Sequence, residues 1–326
     1  MNLGDEAILA GQLQELKKIP GITITVVGRF PQEIKRLHKV NAVSLYQFGK
    51  IRKHIKRSDI IIVGGGGLIN KIERGYKGFL YQLYMLLSFF YLPMFYRRKV
   101  YVLGIGIYAN ANAFIVNLVL PVLRYATLIT VRDHHSYEFL KKKHIRVSLY
   151  KDNSFLMDLL PKQALLDDPF IKEHFMVKKR NIGISLVKPE IKADEEHLLK
   201  EVAKFVVANN ANTDFWFYPA DTNPSYTGDD LLAKELLEET RKISPDAISL
   251  HMVPKSYTPQ FFFSTIKLMN GFIAMRFHAA MFAYRSGIPF AGIAYDTKVA
   301  SFVEATGRKP LYFKRFNEQE LEKTVL

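Results

Sequence analysis

Asp59-Ile60-Ile61-Ile62-Val63 runs without a polar break into four consecutive glycines, Gly64–Gly67. A run that is apolar at each position, not at every second one, suits a strand buried on both faces, as in a parallel sheet covered by helices. The glycines then ask for a turn that side chains would obstruct. The same rhythm recurs along the chain. Helices are expected over Glu6–Lys18, Pro31–Lys39, Gly49–Arg57, Gly78–Tyr96, Ala113–Arg124 and His134–Lys143. They alternate with strands over Ile22–Val27, Ala42–Leu45, Lys99–Leu103 and Leu128–Val131, and Asp5 is read as the N-cap of the first helix.

Residues 161–181 are polar and punctuated by Pro161 and Pro169. A domain boundary is placed there, giving an N-terminal domain over 1–165 and a C-terminal domain over 166–326. Past it, strands are expected over Ile182–Leu186, Asp214–Tyr218, Ala247–Leu250, Phe272–Met275 and Pro289–Ala294. The helices between and after them are Glu195–Val207, Asp229–Lys242, Pro259–Met269, Ala279–Ser286 and Lys298–Ala305, with a loop holding Pro219, Pro224 and Gly228. The fold class is α/β: two Rossmann-like doubly wound domains facing a cleft at the C-terminal ends of their strands. A βαβ unit needs a strand before its helix, and the first helix has none. The first domain is therefore expected to lack its first strand, with the native start upstream or the chain a fragment.

A chain of 326 residues is long enough for two such domains. It has no cysteine, which excludes disulfides, thiolate nucleophiles, zinc fingers and iron–sulfur clusters. No H-E-x-x-H, G-x-S-x-G or D-x-D motif occurs, so no metal site is expected. The start, Met1-Asn2-Leu3-Gly4-Asp5, has neither a basic n-region nor an apolar h-region. A cytoplasmic chain is expected, peripheral at the inner face of the membrane.

The net charge of +15 lies wholly in the first half: residues 1–163 carry 25 Lys and Arg against 10 Asp and Glu, and residues 164–326 carry 21 of each. The first half should therefore meet something anionic: a phosphorylated substrate, a nucleic acid or an acidic membrane. Nucleic acid fits worst, because the basic residues are not interleaved with aromatics as in a known module. The stretch Phe79–Tyr96 is uncharged and rich in aromatics, and Arg97-Arg98-Lys99 follows it. It reads as a sheet-packing helix or as a peripheral contact with anionic membrane. A spanning helix would split the domain between two strands of one sheet, and it would have to carry Gln82, Ser88 and Pro93.

Candidate site residues sit where strands give way to helices. Gly65 and Gly66 lie in a turn whose backbone N–H groups can close on an anion. Gly104-Ile105-Gly106-Ile107-Tyr108-Ala109 formally fits G-x-G-x-x-A, yet no acidic residue occurs between Gly106 and Asp133 to hold a ribose. Dinucleotide binding is therefore set aside. Arg132 ends a strand and suits bidentate capture of a phosphate or carboxylate, with Asp133 as cap of the next helix. The strongest cluster is Met275-Arg276-Phe277-His278-Ala279-Ala280-Met281. Arg276 is a permanent forked cation, and His278 exchanges a proton near neutral pH. Tyr295-Asp296-Thr297-Lys298 closes the next strand; Lys298 adds a second cation, and Asp296 can cap the helix it starts.

Taken in order, Asn2-Leu3-Gly4-Asp5-Glu6-Ala7-Ile8-Leu9, Gly64–Gly67 with Leu68, Gly104-Ile105-Gly106, Arg276-Phe277-His278-Ala279-Ala280, Gly287-Ile288-Pro289 and Tyr295-Asp296-Thr297-Lys298-Val299 resemble the polysaccharide pyruvyl transferase family. The resemblance covers residue 2 to about residue 307 and implies a glycosyltransferase-B-like pair of Rossmann-type domains. It implies transfer of the enolpyruvyl unit of phosphoenolpyruvate to a sugar of a cell-surface polysaccharide or its lipid-linked precursor, as a ketal, without a cofactor or metal. Arg276 would clamp the carboxylate or phosphate and His278 would act as acid or base. Lys298, with Arg132 as the weaker candidate, would add positive charge, and Asn2, Asp5 and Glu6 would face the cleft. The 166–326 domain would bind phosphoenolpyruvate, and the basic 1–165 domain would meet the glycan or lipid-linked acceptor. Asp152-Asn153-Ser154 departs from the family pattern, which weighs against Asp152. The family also usually begins with a strand and glycine turn, about 10–15 residues more than this chain has. A nucleotide-sugar glycosyltransferase and a non-catalytic glycan- or membrane-binding relative are the alternatives.

Overall fold

The computed structural model describes residues 2–69, 75–108, 110–175, 177, 179–189, 191–221, 228–245 and 249–326. Ala109 of the glycine fingerprint, Pro224 of the expected loop and Ala247-Ile248 of the expected strand lie outside the described residues. The chain divides into two compact units. Asp5–Asp158 form one; Leu159–Leu326 together with Met1–Gly4 form the other. The sequence division at 165/166 falls inside a short helix, α8 below.

The N-terminal unit runs α1 (Leu3–Leu16), β1 (Thr25–Gly28), α2 (Pro31–His38), β2 (Asn41–Ser44), α3 (Phe48–Arg57), β3 (Ile60–Ile69) and α4 (Gly75–Leu86). A π-helical turn over Leu87–Tyr91 leads to α5 (Leu92–Phe95), β4 (Lys99–Ile107), α6 (Ala113–Tyr125), β5 (Leu128–Val131), α7 (His134–Lys142) and β6 (Ser148–Leu149). Strands β3-β4-β5-β6 form one parallel sheet in that order, and β1 and β2 form a separate parallel pair. Val63, Val102, Ile105 and Val131 from the strands pack with Ile115, Val119 and Leu123 of α6.

The C-terminal unit runs α8 (Lys162–Leu166), α9 (Pro169–His174), β7 (Arg180–Ser185), α10 (Lys192–Ala208), β8 (Thr213–Phe217), α11 (Asp229–Ile243) and β9 (Leu250–Met252). It continues through α12 (Pro259–Ser264), β10 (Gly271–Ala274), α13 (Phe277–Arg285), β11 (Phe290–Ala294), α14 (Thr297–Ala305), β12 (Leu311–Tyr312) and α15 (Glu318–Val325). All six strands are parallel, in the order β12-β11-β10-β7-β8-β9. Numbered within the unit this is 3-2-1-4-5-6, the doubly wound order, and its direction reverses between β7 and β10. Every residue of β8, β10 and β11 is buried, which explains the continuous apolar runs: helices cover both faces.

Several expectations are corrected. Helix α1 starts at Leu3 rather than Glu6, because Asn2 Oδ1 accepts the Gly4 N–H at 2.9 Å and so caps the turn that Asp5 was expected to cap. The glycine run is not a loop. β3 continues through it, with Gly65 and Gly66 at φ +78° and +81° and a shift of register between Gly66 and Ile69. Gly104–Gly106 likewise lies within β4, Gly104 at φ +67°. The run is side-chain-free because helix α1 and Tyr108 close upon it. A Cβ on Gly64 would meet the Gln12 amide, one on Gly65 the Ile8 side chain, and one on Gly67 the Tyr108 ring. The short strands β6 and β12 and the helix α15 carry no long apolar run and escape a pattern search; α15 opens on an Asn317–Glu320 capping box.

Gly65→Ala should cost about 2–5 kcal/mol, from the left-handed conformation and the overlap with Ile8. Urea unfolding of Gly65→Ala, Ile8→Ala and the double variant checks this: the double variant should recover part of the loss, and additive losses would refute the contact.

Candidate functional site

In the C-terminal unit, Arg276 is the N-cap residue of α13, just past the end of β10, and His278 lies in the first helical turn. Their side chains leave from the carboxyl edge of the sheet next to the reversal between β10 and β7, where open α/β sheets bind ligands. Arg276 is held by a carboxylate the sequence reading did not single out. Its Nε donates to Asp229 Oδ2 at 2.8 Å and its Nη2 donates to Asp229 Oδ1. The Asp229 side chain is 3% exposed, and its Oδ2 also accepts the Asp221 N–H at 2.9 Å. Burial works against the charge on Arg276, and Asp229 outweighs it, with Asp221 and the Tyr295 phenol adding to the field; the guanidinium pKa is raised.

The first residues of the chain complete this arrangement. Asn2 forms an antiparallel bridge with Asp221. The Leu3 N–H donates to the Ala220 carbonyl at 2.8 Å, and Leu3 is fully buried. This seats Gly4 against His278 so closely that a Cβ on Gly4 would overlap the imidazole Nδ1. The glycine of Asn2-Leu3-Gly4-Asp5 is thus where the helix start and the imidazole share one space.

Tyr295, Asp296 and Lys298 follow β11, the neighbour of β10, and so reach the same edge of the sheet. Asp296 Oδ1 caps α14 by accepting the Val299 N–H at 2.9 Å. Lys298 lies in the first turn of that helix, and Tyr295 is 40% exposed.

The remaining candidates belong to the N-terminal unit. Asp5 is exposed on the first turn of α1, its Oδ1 3.5 Å from the place a Cβ on Gly66 would take. Glu6 Oε2 lies 2.7 Å from Nε2 of the buried His38. Gly65 and Gly66 line α1 as described. Arg132 follows β5, and its Nη1 donates to Asp152 Oδ2 at 2.6 Å, with the two side chains 6% and 3% exposed. Burial opposes the Arg132 charge, but Asp152 outweighs it and the pKa is raised. Asp152 Oδ1 in turn accepts the Ser154 N–H at 2.9 Å and its hydroxyl at 2.6 Å. The polar Asp152-Asn153-Ser154, which counted against Asp152, is therefore the buried anchor of Arg132. Asn153 joins it by donating from Nδ2 to the Leu103 carbonyl at 3.0 Å. Asp133 caps α7 through the Ser136 N–H at 2.7 Å. Among the described residues no group of His, Asp and Glu is arranged to hold a metal ion.

Asp229 and Asp221, which the sequence did not single out, and Asp152, which it weighed against, share one trait: each matters through a partner distant in sequence. The signal that was available is position alone: Asp229 opens α11 and Asp152 caps the turn over Asn153–Leu156.

A family model described as polysaccharide pyruvyl transferase matches residues 2–297. No curated protein sequence matches significantly. Among solved structures, UDP-GlcNAc 2-epimerase from Methanocaldococcus jannaschii is similar at a TM-score of 0.68 and 11% identity, over 98% of this chain and 88% of that one. Staphylococcus aureus MnaA, solved with UDP, has a TM-score of 0.64 at 12% identity, over 98% and 83%. Anabaena Alr3699/HepE, solved with UDP-glucose, has a TM-score of 0.58 at 11% identity, over 98% and 84%. At these identities the likeness is one of fold: a glycosyltransferase-B-like chain of two Rossmann-like domains.

Two outcomes are expected. Arg132→Ala strands a buried carboxylate and should cost about 3–5 kcal/mol in urea unfolding, whereas replacing both partners, Arg132→Met with Asp152→Leu, should cost far less; equal losses would contradict a buried pair. Gly4→Ala should displace the His278 ring and cost about 1–3 kcal/mol. Unchanged His278 imidazole resonances in that variant would refute the close approach.

Proposed function

The chain belongs to the polysaccharide pyruvyl transferase family, and from that premise we propose that it transfers the pyruvyl unit of phosphoenolpyruvate to a sugar as a ketal. The acceptor is a sugar of a cell-surface polysaccharide or of its lipid-linked precursor. The observation that carries this reading is the Arg276–His278 pair at the carboxyl end of β10, with Gly4 against the imidazole.

The donor carries a carboxylate and a phosphate, and the edge of the C-terminal sheet suits both. Asp229 holds Nε and Nη2 of Arg276, which fixes the plane of the guanidinium; among the described residues no partner is seen for Nη1, the nitrogen that would meet a substrate oxygen. Helix α13 has no side-chain cap, so its N-terminus favours an anion in the same place. Lys298, in the first turn of α14, supplies a second cation from the adjacent strand end.

The chemistry has two steps. A sugar hydroxyl adds to C2 of the enol phosphate while C3 takes a proton and becomes a methyl group. A second hydroxyl of the same sugar then displaces phosphate from C2, closing the ketal and releasing inorganic phosphate and a proton. His278 is the group that exchanges protons in this cycle, as acid toward C3 or the departing phosphate and as base toward a hydroxyl. Arg276 stabilises the charge on the phosphate as it leaves.

The test separates binding from turnover. Thermal-shift titration with phosphoenolpyruvate should raise the Tm of the wild type. The rise should be lost in Arg276→Lys, which keeps the charge but not the fork, and kept in His278→Gln. Phosphate release with phosphoenolpyruvate and a lipid- or nucleotide-linked sugar should fall about 100-fold or more in His278→Gln. A Tm rise with UDP-sugars and none with phosphoenolpyruvate would overturn the reading in favour of a nucleotide-sugar enzyme.

A further inference from the structure

The stretch Gly75–Phe95 is 21 residues long and apolar enough to cross a bilayer by length and composition, yet its two faces differ. Leu86, Ser88, Phe90 and Pro93 are buried, and Phe79 and Met94 pack on the core of the N-terminal sheet. A helix so engaged cannot be surrounded by lipid. The opposite face holds Tyr76, Leu80, Leu87 and Phe95, which are 75%, 44%, 50% and 77% exposed. Their spacing keeps them on one stripe, helped by the wider π turn at Leu87–Tyr91. No charged residue occurs between Lys77 and Arg97.

Neighbouring elements widen the apolar face. Phe114 on α6 is 56% exposed, with its ring 5.9 Å from Phe79. Phe48 on α3 is 45% exposed, 6.3 Å from Tyr84. The border is cationic. Helix α3 exposes Lys50, Arg52, Lys53, Lys56 and Arg57 and contains no acidic residue. It is tied to the end of the aromatic stretch by Arg52 Nε donating to the Tyr96 hydroxyl at 2.7 Å. Arg29 sits 5.9 Å from the Tyr81 ring centre, and Arg97 and Lys99 are exposed just past the stretch.

We propose that this face docks the chain on the surface of an anionic lipid bilayer, with the stripe of Gly75–Phe95 at the boundary of headgroups and acyl chains and the cations of α3 against lipid phosphates. An aromatic and aliphatic stripe edged by Lys and Arg is the composition of helices that lie in the plane of such an interface. A second copy of this chain fits worse, because pairing like faces would press two cationic borders together. The inference is independent of the pyruvyl-transfer reading.

The test is sedimentation of the full chain with vesicles of phosphatidylcholine and phosphatidylglycerol, and with phosphatidylcholine alone. The wild type should pellet with the mixed vesicles, less so as salt rises, and weakly with phosphatidylcholine. Lys53→Glu with Arg57→Glu should weaken partitioning at least about tenfold, since each cation near the surface contributes about 1 kcal/mol. Leu80→Asp with Leu87→Asp should abolish it at any salt, with circular dichroism confirming the fold; if that variant does not fold, Phe95→Ser serves at the most exposed of these positions. Equal partitioning onto both vesicle types, or undiminished partitioning of the leucine variant or its substitute, would overturn the proposal. So would a wild-type dimer in light scattering that the same variant dissolves, which would assign the face to a second copy.

Discussion

The carboxylate of Asp229 joins the separate parts of the C-terminal site. It lies in the first turn of α11, yet it grips Arg276 at the start of α13 through two hydrogen bonds and accepts the N–H of Asp221. Asp221 bridges Asn2, and its neighbour Ala220 accepts from Leu3. One buried anion therefore sets the guanidinium and, through two more backbone contacts, the seat of Gly4 beside His278. A buried, hydrogen-bonded ion pair of this kind gains little net stability over an apolar core, but losing one partner is costly. Its contribution here is to give the cationic edge of the sheet a single geometry.

The architecture was largely legible because it rests on patterns local in sequence. The apolar runs at Ile182–Leu186 and Phe272–Met275 announce strands buried on both faces, and the helices between them announce parallel connections; the run Ile60–Val63 does form a strand, but at the edge of its sheet, with Val63 buried and Ile60 50% exposed. The placing of Arg276 and His278 at a strand end followed from the same pattern. Their supports did not, because Asp229 is 47 residues from Arg276 and the seat of Gly4 on the C-terminal unit depends on tertiary contact. Asp152 shows the same limit: its polar neighbours looked like a departure, whereas Ser154 bonding and burial make it the counter-ion of Arg132. The glycine run shows a different one. Four glycines reveal that side chains are unwelcome, but not whether a ligand or a packed helix excludes them. At Gly65 the neighbour is Ile8 of α1.

The two halves of the chain carry their charge for different ends. In the neutral second half carboxylates match the cations in number, and the two at the candidate site are placed, Arg276 by Asp229 and Lys298 by a helix start. In the basic first half they are many and exposed, and α3 sets five of them beside an aromatic helix that buries only one side. Arg132, the one strand-end cation of that half singled out as a candidate, is sealed inside by Asp152. A local pairing, not the net charge, decides which arginines are able to meet a solute.

The crowding of Gly4 against His278 also sets a rule for how this site can vary. The two positions occupy one volume, so they are not independent sites of change. A methyl group at position 4 requires a smaller or displaced side chain at position 278, and an imidazole at 278 requires glycine at 4. Lineages of this fold should therefore keep glycine at 4 wherever the imidazole holds its present place, and a side chain gained at position 4 moves or replaces that ring.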